Sequence, residues 1–462
     1  MELKGRKSLI LGAGKSGVES ARFLAGHGAT VALHDRKPVE EWSDAARSLK
    51  ESHNVGLISG DLPSWLLDQI DLVVISPGVP TNTIPARYVD RKDGEVIGEI
   101  ELAYRFLKGR VVGITGSNGK TTTTALIGEL LKNAGVKTQV GGNIGTPLLS
   151  LTETSTDETW TVAELSSFQL ETIKDFRPNV GLCLNVTPNH LDRYDSFQDY
   201  AAAKHRLFMN QTADDTAILN ADDKITASWA AGLKAKVVMF SVKAELDNGF
   251  FLRGSELICR ADGEENILTT RDDIFLRGLH NVENVLAAFA AGFACGASPE
   301  SMRETVKEFK GVEHRIEFVA EIGGVKFYND SKATSVDATS KALEALSGDD
   351  GRTILILGGR GKNAPYAPLI GLIEASVRAL ILVGEDADNI ESQLSGHADI
   401  LRADSIDDAV KKGFETAMAG DAVLLAPACA SFDMFKSFEE RGDVFKAAVM
   451  RLSESAASCS KI

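Results

Sequence analysis

The residues Gly113-Ile114-Thr115-Gly116-Ser117-Asn118-Gly119-Lys120-Thr121-Thr122 bring glycines, hydroxyls and one lysine together between an apolar run and a helix-like segment. Glycines there let backbone N–H groups face an anion at the positive end of the following helix. Lys120 is placed to reach the β- and γ-phosphates of a nucleotide, and the Thr121 hydroxyl to bind the Mg²⁺ that accompanies ATP, because a small hard cation prefers oxygen. The usual phosphate-loop pattern has a glycine where this chain has Ile114, so the match is to a shorter T-G-x-N-G-K-T form. The competing reading is a glycine turn before a helix that carries a surface lysine.

Further along, Glu164 ends the apolar run of Val162-Ala163-Glu164, where a carboxylate beside bound ATP would be a Mg²⁺ ligand. His190 follows the apolar run Val180 to Leu184 and could complete a second metal site, or be an ordinary core or surface histidine. Lys204 lies in a predicted helix from Phe197 to Met209, beside Ala201-Ala202-Ala203. Its spacing alone makes it a surface lysine. Asn281 and Asn284 share one helix face, fit either to hydrogen-bond an adenine or its ribose or to cap the helix.

A second glycine cluster, Gly12-Ala13-Gly14-Lys15-Ser16-Gly17, follows a predicted strand and opens a helix, and Asp35, followed by Arg36, ends the next strand. This is the dinucleotide fingerprint, yet it specifies only a diphosphate on a helix N-terminus, so NAD and a UDP-sugar fit equally. Ser76-Pro77-Gly78-Val79 is either a plain turn or a further set of N–H donors beside that loop.

These groups need parallel sheets to position them. Apolar runs at Ser8 to Leu11, Thr30 to Leu33 and Leu72 to Ile75, with a helical stretch from Val18 to Leu24, give a βαβ alternation. A second series starts at Val111 and leads into a helix from Thr121 to Lys132. A third comprises Thr353 to Leu357, Ala379 to Val383 and Ala422 to Ala426, with a helix from Ile406 to Met418. Ile316 to Ile322 and Val325 to Tyr328 flank Gly323-Gly324 as a hairpin. The chain has 462 residues, and at roughly 150 per domain that implies about three. Boundaries fall near Gly98 and Gly311, and the small polar tail from Ser453 to Ile462 is expected to fray.

Lys and Arg number 50 against 65 Asp and Glu, a net charge of −15, which argues against a nucleic-acid or anionic-membrane surface. Cys183, Cys259, Cys295, Cys429 and Cys459 are far apart and read as reduced packing residues. The apolar run after the N-terminus is too short for a signal peptide, and no run approaches the ~20 residues of a membrane span. The cytoplasm is the expected compartment.

In order along the chain, Thr115 to Thr121, the Glu164 segment, Asn185-Val186-Thr187-Pro188-Asn189-His190-Leu191-Asp192-Arg193 and Asn329-Asp330-Ser331-Lys332-Ala333-Thr334 resemble the motifs of the Mur ligases. Asn329 to Thr334 and Pro427 to Gly442 resemble most the members that add D-glutamate, and the Asp-Asn-Pro-Arg motif of the diaminopimelate-adding members is absent. The resemblance implies an α/β fold of three domains. Residues 1–98 would be an N-terminal Rossmann-like domain for a UDP-sugar, 99–311 a central P-loop ATPase domain, and 312–462 a C-terminal Rossmann-like domain for the amino acid.

The implied reaction is ATP-dependent ligation of D-glutamate to UDP-N-acetylmuramoyl-L-alanine through an acyl phosphate, in peptidoglycan precursor synthesis by a monomer. ATP would be held by Gly116, Ser117, Asn118, Gly119, Lys120, Thr121, Thr122, Asn281, Asn284, Arg315 and Asp330. Two Mg²⁺ ions would be served by Thr121, Glu164, His190 and a carbamylated Lys204. The UDP substrate would meet Gly14, Lys15, Ser16, Asp35, Arg36, Ser76, Pro77, Gly78, Asn143 and His190. D-Glutamate would meet Lys332, Thr334, Lys362, Ser431, Phe432 and Phe438. Arg360 and Gly361 precede Lys362 where relatives often carry an acidic residue. A dehydrogenase would leave the phosphate loop unused, and a nucleotide switch would leave the Lys332 and Ser431 cluster unexplained.

Overall fold

The computed structural model describes residues 1–85, 88, 94–143, 145–188, 193–261, 263–276, 278–346, 351–361 and 365–459. Among these the strands form three sheets, in two compact units. One unit is Met1–Ile274 with Leu279–Phe309, and the other is Phe275–Gly278 with Lys310–Ile462.

In the first unit, β1 (Lys7–Leu11), β2 (Thr30–Asp35), β3 (Gly56–Ser59), β4 (Leu72–Ile75) and β5 (Glu95–Gly98) pair in parallel in the order β3-β2-β1-β4-β5. The strand order reverses between β1 and β4, and in open α/β sheets ligands bind at the carboxyl ends beside that switch point. β4 is apolar and buried throughout, and β1 is buried from Ser8 to Leu11 with only Lys7 exposed at its start, as strands covered on both faces must be.

The second sheet has the order β14-β13-β12-β11-β10-β9-β6-β8-β7, comprising β6 (Arg110–Thr115), β7 (Thr138–Gly142), β8 (Trp160–Glu164), β9 (Val180–Cys183), β10 (Thr216–Asn220), β11 (Lys236–Ser241), β12 (Gly249–Arg253), β13 (Glu256–Ala261) and β14 (Glu264–Thr270). Strands β7 to β12 pair in parallel. β12 to β14 form an antiparallel meander. The sequence reading did not anticipate the meander, although Gly254, at φ +60, opens a two-residue turn of hairpin type.

The helix Glu99–Tyr104 joins the first two sheets, and its acids face inward. Glu101, wholly buried, accepts N–H bonds from Lys174, Asp175 and Phe176 and pairs with Arg105 at 2.9 Å. Glu99, 2% exposed, accepts from Leu149 N at 2.9 Å. Burial raises the Glu99 carboxyl to about 7. The folded chain therefore keeps a proton that the unfolded chain releases, so stability is highest below pH ~4.5 and falls as pH rises through ~7. Glu99→Gln should lose that decline, gaining up to about 3 kcal/mol on wild type between pH 5 and 8 in urea melts. Parallel pH curves for the two proteins would refute this.

The second unit holds a sheet of order β15-β16-β20-β17-β18-β19, made of β15 (Glu317–Ile322), β16 (Val325–Asn329), β17 (Thr353–Gly358), β18 (Val377–Val383), β19 (Asp399–Arg402) and β20 (Ala422–Leu425). All neighbours are parallel except the β15–β16 hairpin, whose Gly323-Gly324 turn has φ +58 and +79. Of the tail expected to fray, Ser453 to Cys459 instead continues a helix, and residues 460–462 lie outside the described residues. The last helix runs from Phe438 to Cys459, because Ala456 and Ala457 continue its helix-forming composition.

Candidate active site

Gly116 (φ +151) and Gly119 (φ +81) take left-handed conformations in the loop between β6 and the helix Lys120–Asn133. A Cβ on Gly119 would stand 2.3 Å from Asn284 Oδ1. Asn284, 5% exposed, accepts from Thr123 Oγ1 at 3.2 Å and donates to Asn281 Oδ1 at 3.1 Å, so this pair braces the loop from the helix Leu279–Ala294. On the other side, Ser117 N donates to Asn185 O at 2.9 Å and Asn118 N to Asn185 Oδ1 at 2.8 Å. The Ser117 hydroxyl donates to Thr187 O at 3.0 Å and lies 3.0 Å from the Tyr200 hydroxyl. The loop is thus fixed at the positive end of a 14-residue helix. Asn185 and Tyr200 carried no role in the sequence reading, although Tyr200 sits one helical turn before Lys204.

Lys120 Nζ donates to Gly116 O at 2.9 Å and Ser117 O at 3.0 Å, and Lys204 Nζ donates to the same Gly116 O at 2.9 Å. Lys204 is 1% exposed, with its ammonium 4.6 Å from the Tyr200 ring centroid. Its spacing had suggested a surface residue, and the packed helix Phe197–His205 turns it inward instead. Burial, then the Lys120 charge, brings Lys204 down to about 7. Glu164 ends β8 beside Ile114 of β6 and is 2% exposed. Its Oε1 accepts from Asn143 Nδ2 at 3.2 Å, while its Oε2 is buried with no hydrogen-bond partner among the described residues. A buried, unpaired carboxylate oxygen near a phosphate loop, with Thr121 on the first turn of the loop's helix, is a donor set that suits Mg²⁺. Thr122 is buried on the same turn. His190 lies outside the described residues.

At the switch point of the first sheet, Gly12 has φ +99, and a Cβ on Gly17 would meet Gly12 O at 1.8 Å. Gly14 precedes the helix Lys15–Gly26, which also carries Ser16. Asp35 accepts from Ala13 N at 2.9 Å and Lys37 N at 3.1 Å, and Arg36 is exposed beside it. Ser76 Oγ donates to Gly12 O at 3.2 Å, which sets Ser76, Pro77 and Gly78 next to the glycine loop. Lys15 Nζ donates to Gly145 O at 2.6 Å, close in sequence to Asn143. Arg193 donates to Pro77 O at 2.7 Å and stacks 3.9 Å over the Phe168 ring centroid. The glycine loop, Asn143, Glu164 and the phosphate loop therefore belong to one continuous unit.

In the second unit, three loops follow the ends of β16, β17 and β20. Ala428 N donates to Ala333 O at 2.9 Å, and Arg360 and Ala430 exchange backbone bonds at 2.9 and 3.0 Å. Arg441, 2% exposed, has no carboxylate partner among the described residues. Its guanidinium donates to Ser331 Oγ and Ser331 O at 2.9 Å and to Cys429 O at 3.2 Å, joining the loops after β16 and β20. Ser431 is buried there, Lys332 and Thr334 are half-buried, and Phe432 is 63% exposed. Lys332 Nζ lies 6.0 Å from the Phe438 ring centroid. Arg360 pairs with Glu385 at 3.0 Å on the surface, and Lys362 lies outside the described residues. Asp330 is 6% exposed, and burial raises its carboxyl to about 7 against the opposing pull of Arg315. Around it, His314 (φ +61) and Ile316 (φ +43) take left-handed conformations that cost about 1–3 kcal/mol each.

Fold and loops together define a phosphate-loop α/β protein with a Rossmann-like sheet on either side of it in sequence. The chain belongs to the Mur ligase family. The family models for the Mur ligase MurD-like N-terminal domain, the Mur ligase middle domain and the Mur ligase glutamate ligase domain match residues 6–98, 114–292 and 314–429. The UDP-N-acetylmuramoylalanine–D-glutamate ligase of Koribacter versatilis is 46% identical over 98% of this chain and 99% of its own length. That of Acidobacterium capsulatum is 47% identical over 97% of both. A solved structure of UDP-N-acetylmuramate-alanine ligase from Thermotoga maritima shares the fold at TM-score 0.56 and 18% identity, covering 97% of this chain and 99% of that one.

Proposed function

We propose that this chain joins D-glutamate to UDP-N-acetylmuramoyl-L-alanine at the expense of ATP, giving ADP and phosphate, in cytoplasmic peptidoglycan precursor synthesis. The observation that carries the chemistry is the convergence of Lys120 and Lys204 on Gly116 O, with Glu164 ending the strand next to β6 and its Oε2 buried without a hydrogen-bond partner among the described residues. The full-length similarity to D-glutamate ligases supports the substrates. A carboxylate is a poor electrophile. Its oxygen attacks the γ-phosphorus and ADP leaves; the amine of D-glutamate then attacks the acyl carbon, phosphate leaves, and the amide remains.

Lys120 and the phosphate-loop N–H groups offset charge on the transferring phosphoryl group. Thr121 and Glu164 would hold a Mg²⁺ that supplies further charge neutralisation, with His190 and Lys204 serving a second ion. A lysine near 7 is partly neutral at working pH, so its amine can attack CO₂, lose a proton and become a carbamate, an anionic oxygen ligand. Residues 1–98 hold the UDP moiety through Gly14, Lys15, Ser16, Asp35, Arg36 and Ser76 to Gly78, with Asn143 and His190 toward the muramoyl group. Asn281 and Asn284 serve ATP by bracing the phosphate loop, and Arg315 and Asp330 take its phosphates and ribose. Residues 312–462 hold D-glutamate through Lys332, Thr334, Lys362, Ser431, Phe432 and Phe438.

Phosphate release from ATP with UDP-N-acetylmuramoyl-L-alanine should depend on D-glutamate and not on L-lysine, meso-diaminopimelate or L-alanine. Release with another amino acid would overturn the substrate assignment. NADH binding without ATP turnover would overturn the reaction class.

A further inference from the structure

In the second unit, Asn329 is wholly buried at the end of β16, and all of its amide is engaged. Its Oδ1 accepts from Ser331 N at 3.1 Å, which fixes the orientation of the amide. Its Nδ2 then faces Glu317 Oε2 at 3.0 Å and His314 Nδ1 at 3.0 Å. An amide nitrogen only donates, so His314 Nδ1 must be the bare acceptor and the ring proton must sit on Nε2. Glu317 Oε2 also accepts the His314 N–H at 2.8 Å. From the other flank, Ile316 N donates to the Asp330 carboxyl. Adjacent residues thus grip the His314-Arg315-Ile316 turn, left-handed at His314 and Ile316, from both sides. The His314 ring is 4% exposed and lies against Gly442, where a Cβ would come within 2.2 Å of Nδ1, and edge-on to Phe438.

We propose that Asn329 is a positioning residue for ATP: by fixing the His314 tautomer and the strained turn, it sets Arg315 and Asp330 in the orientation that receives the nucleotide. This rests on the assignment of Arg315 and Asp330 to ATP. The charged groups facing His314 are Glu313 at 4.0 Å, Glu317 at 4.0 Å and Asp443 at 3.9 Å, and the Lys446 ammonium reaches the same three carboxylates. That ammonium takes the place a metal ion would need among them. The neutral amide of Asn329 avoids adding a further negative charge there.

Asn329→Asp keeps the side-chain volume and the acceptor for Ser331 N–H but replaces the donor with a carboxylate oxygen facing Glu317 and the bare His314 Nδ1. The KM for ATP should rise about tenfold or more at pH 8.5 while the KM for the UDP-muramoyl substrate stays within about twofold. A purely structural loss would lower kcat and leave the KM for ATP unchanged, and that pattern would overturn the proposal. In the wild type, the imidazole ¹⁵N spectrum, assigned with His314→Gln, should show a bare Nδ1 and a protonated Nε2; the opposite tautomer would equally overturn it. Arg315→Ala and Asp330→Asn separate the two levels of the argument. If neither raises the KM for ATP, their assignment to ATP fails; if both raise it and Asn329→Asp does not, the role of Asn329 fails.

Discussion

On the proposed role of Lys204 as a carbamylated metal ligand, Lys204→Ala should reduce ligation by about a thousandfold or more while leaving the fold intact, because it would remove a ligand from the place where charge develops. The side chain is buried, and the Gly116 carbonyl hydrogen bond and the contact with the Tyr200 ring are what the variant gives up. Lys204→Arg should fail as badly, since a guanidinium stays cationic and cannot take up CO₂. The wild-type enzyme should lose activity in CO₂-free buffer and regain it with bicarbonate.

Stability offers a second readout of the same residue. Lys204 is brought from 10.5 to about 7, so between those values the unfolded chain holds a proton that the folded chain does not. Wild-type stability therefore falls as pH drops from ~10.5 to ~7 and then levels. Lys204→Ala should lack that fall, gaining on wild type in melts taken from pH 10 down to pH 7. Near-normal turnover in Lys204→Ala would remove the residue from the chemistry, and a bicarbonate-insensitive wild type would remove the carbamate alone.

The other large effect is expected at Arg441. Arg441→Ala strips the Ser331 and Cys429 carbonyls of their donors and opens a cavity, with each buried unsatisfied group costing about 1–3 kcal/mol. Burial already brings the guanidinium down to about 10, so part of the loss is offset by no longer desolvating a cation. A net loss of about 3–5 kcal/mol is expected in the second unit, or roughly 10 °C in melting temperature for a domain of this size. Arg441→Lys should not rescue it, because one ammonium cannot reproduce the fork that reaches two loops at once. If the loops after β16 and β20 receive D-glutamate, the KM for D-glutamate should rise in both variants while the KM for ATP moves less. An unchanged melting temperature together with an unchanged KM for D-glutamate would leave Arg441 without a role.

Much of this molecule was legible where the signal is local. The phosphate loop, Leu72 to Ile75 as β4 and the Gly323-Gly324 hairpin all depend on neighbours within a few residues, so backbone preference and apolar periodicity reveal them. The β12–β14 meander turns at Gly254, but its strands bury short runs rather than alternate positions, so a period of two does not mark them. Pairing the glycine loop with Ser76 needed only the rule for parallel strand order, and β1 does lie beside β4.

Other features depended on residues far apart in the chain. Lys204 meets Gly116 across 88 positions, and Arg441 meets Ser331 across 110. Asn284, Glu99 and Asn329 are polar residues whose sequence neighbours give no sign of burial, yet each is buried with its polar atoms engaged by another segment. By itself the sequence determined the α/β class, the phosphate loop and the family, because these follow from short-range conformational preference and from residue types in a fixed order. Only the tertiary structure decided which lysine loses its charge, which amide braces the loop and which arginine joins the strand ends. Desolvation and hydrogen-bond partners are properties of the packed environment, and that environment comes from segments remote along the chain.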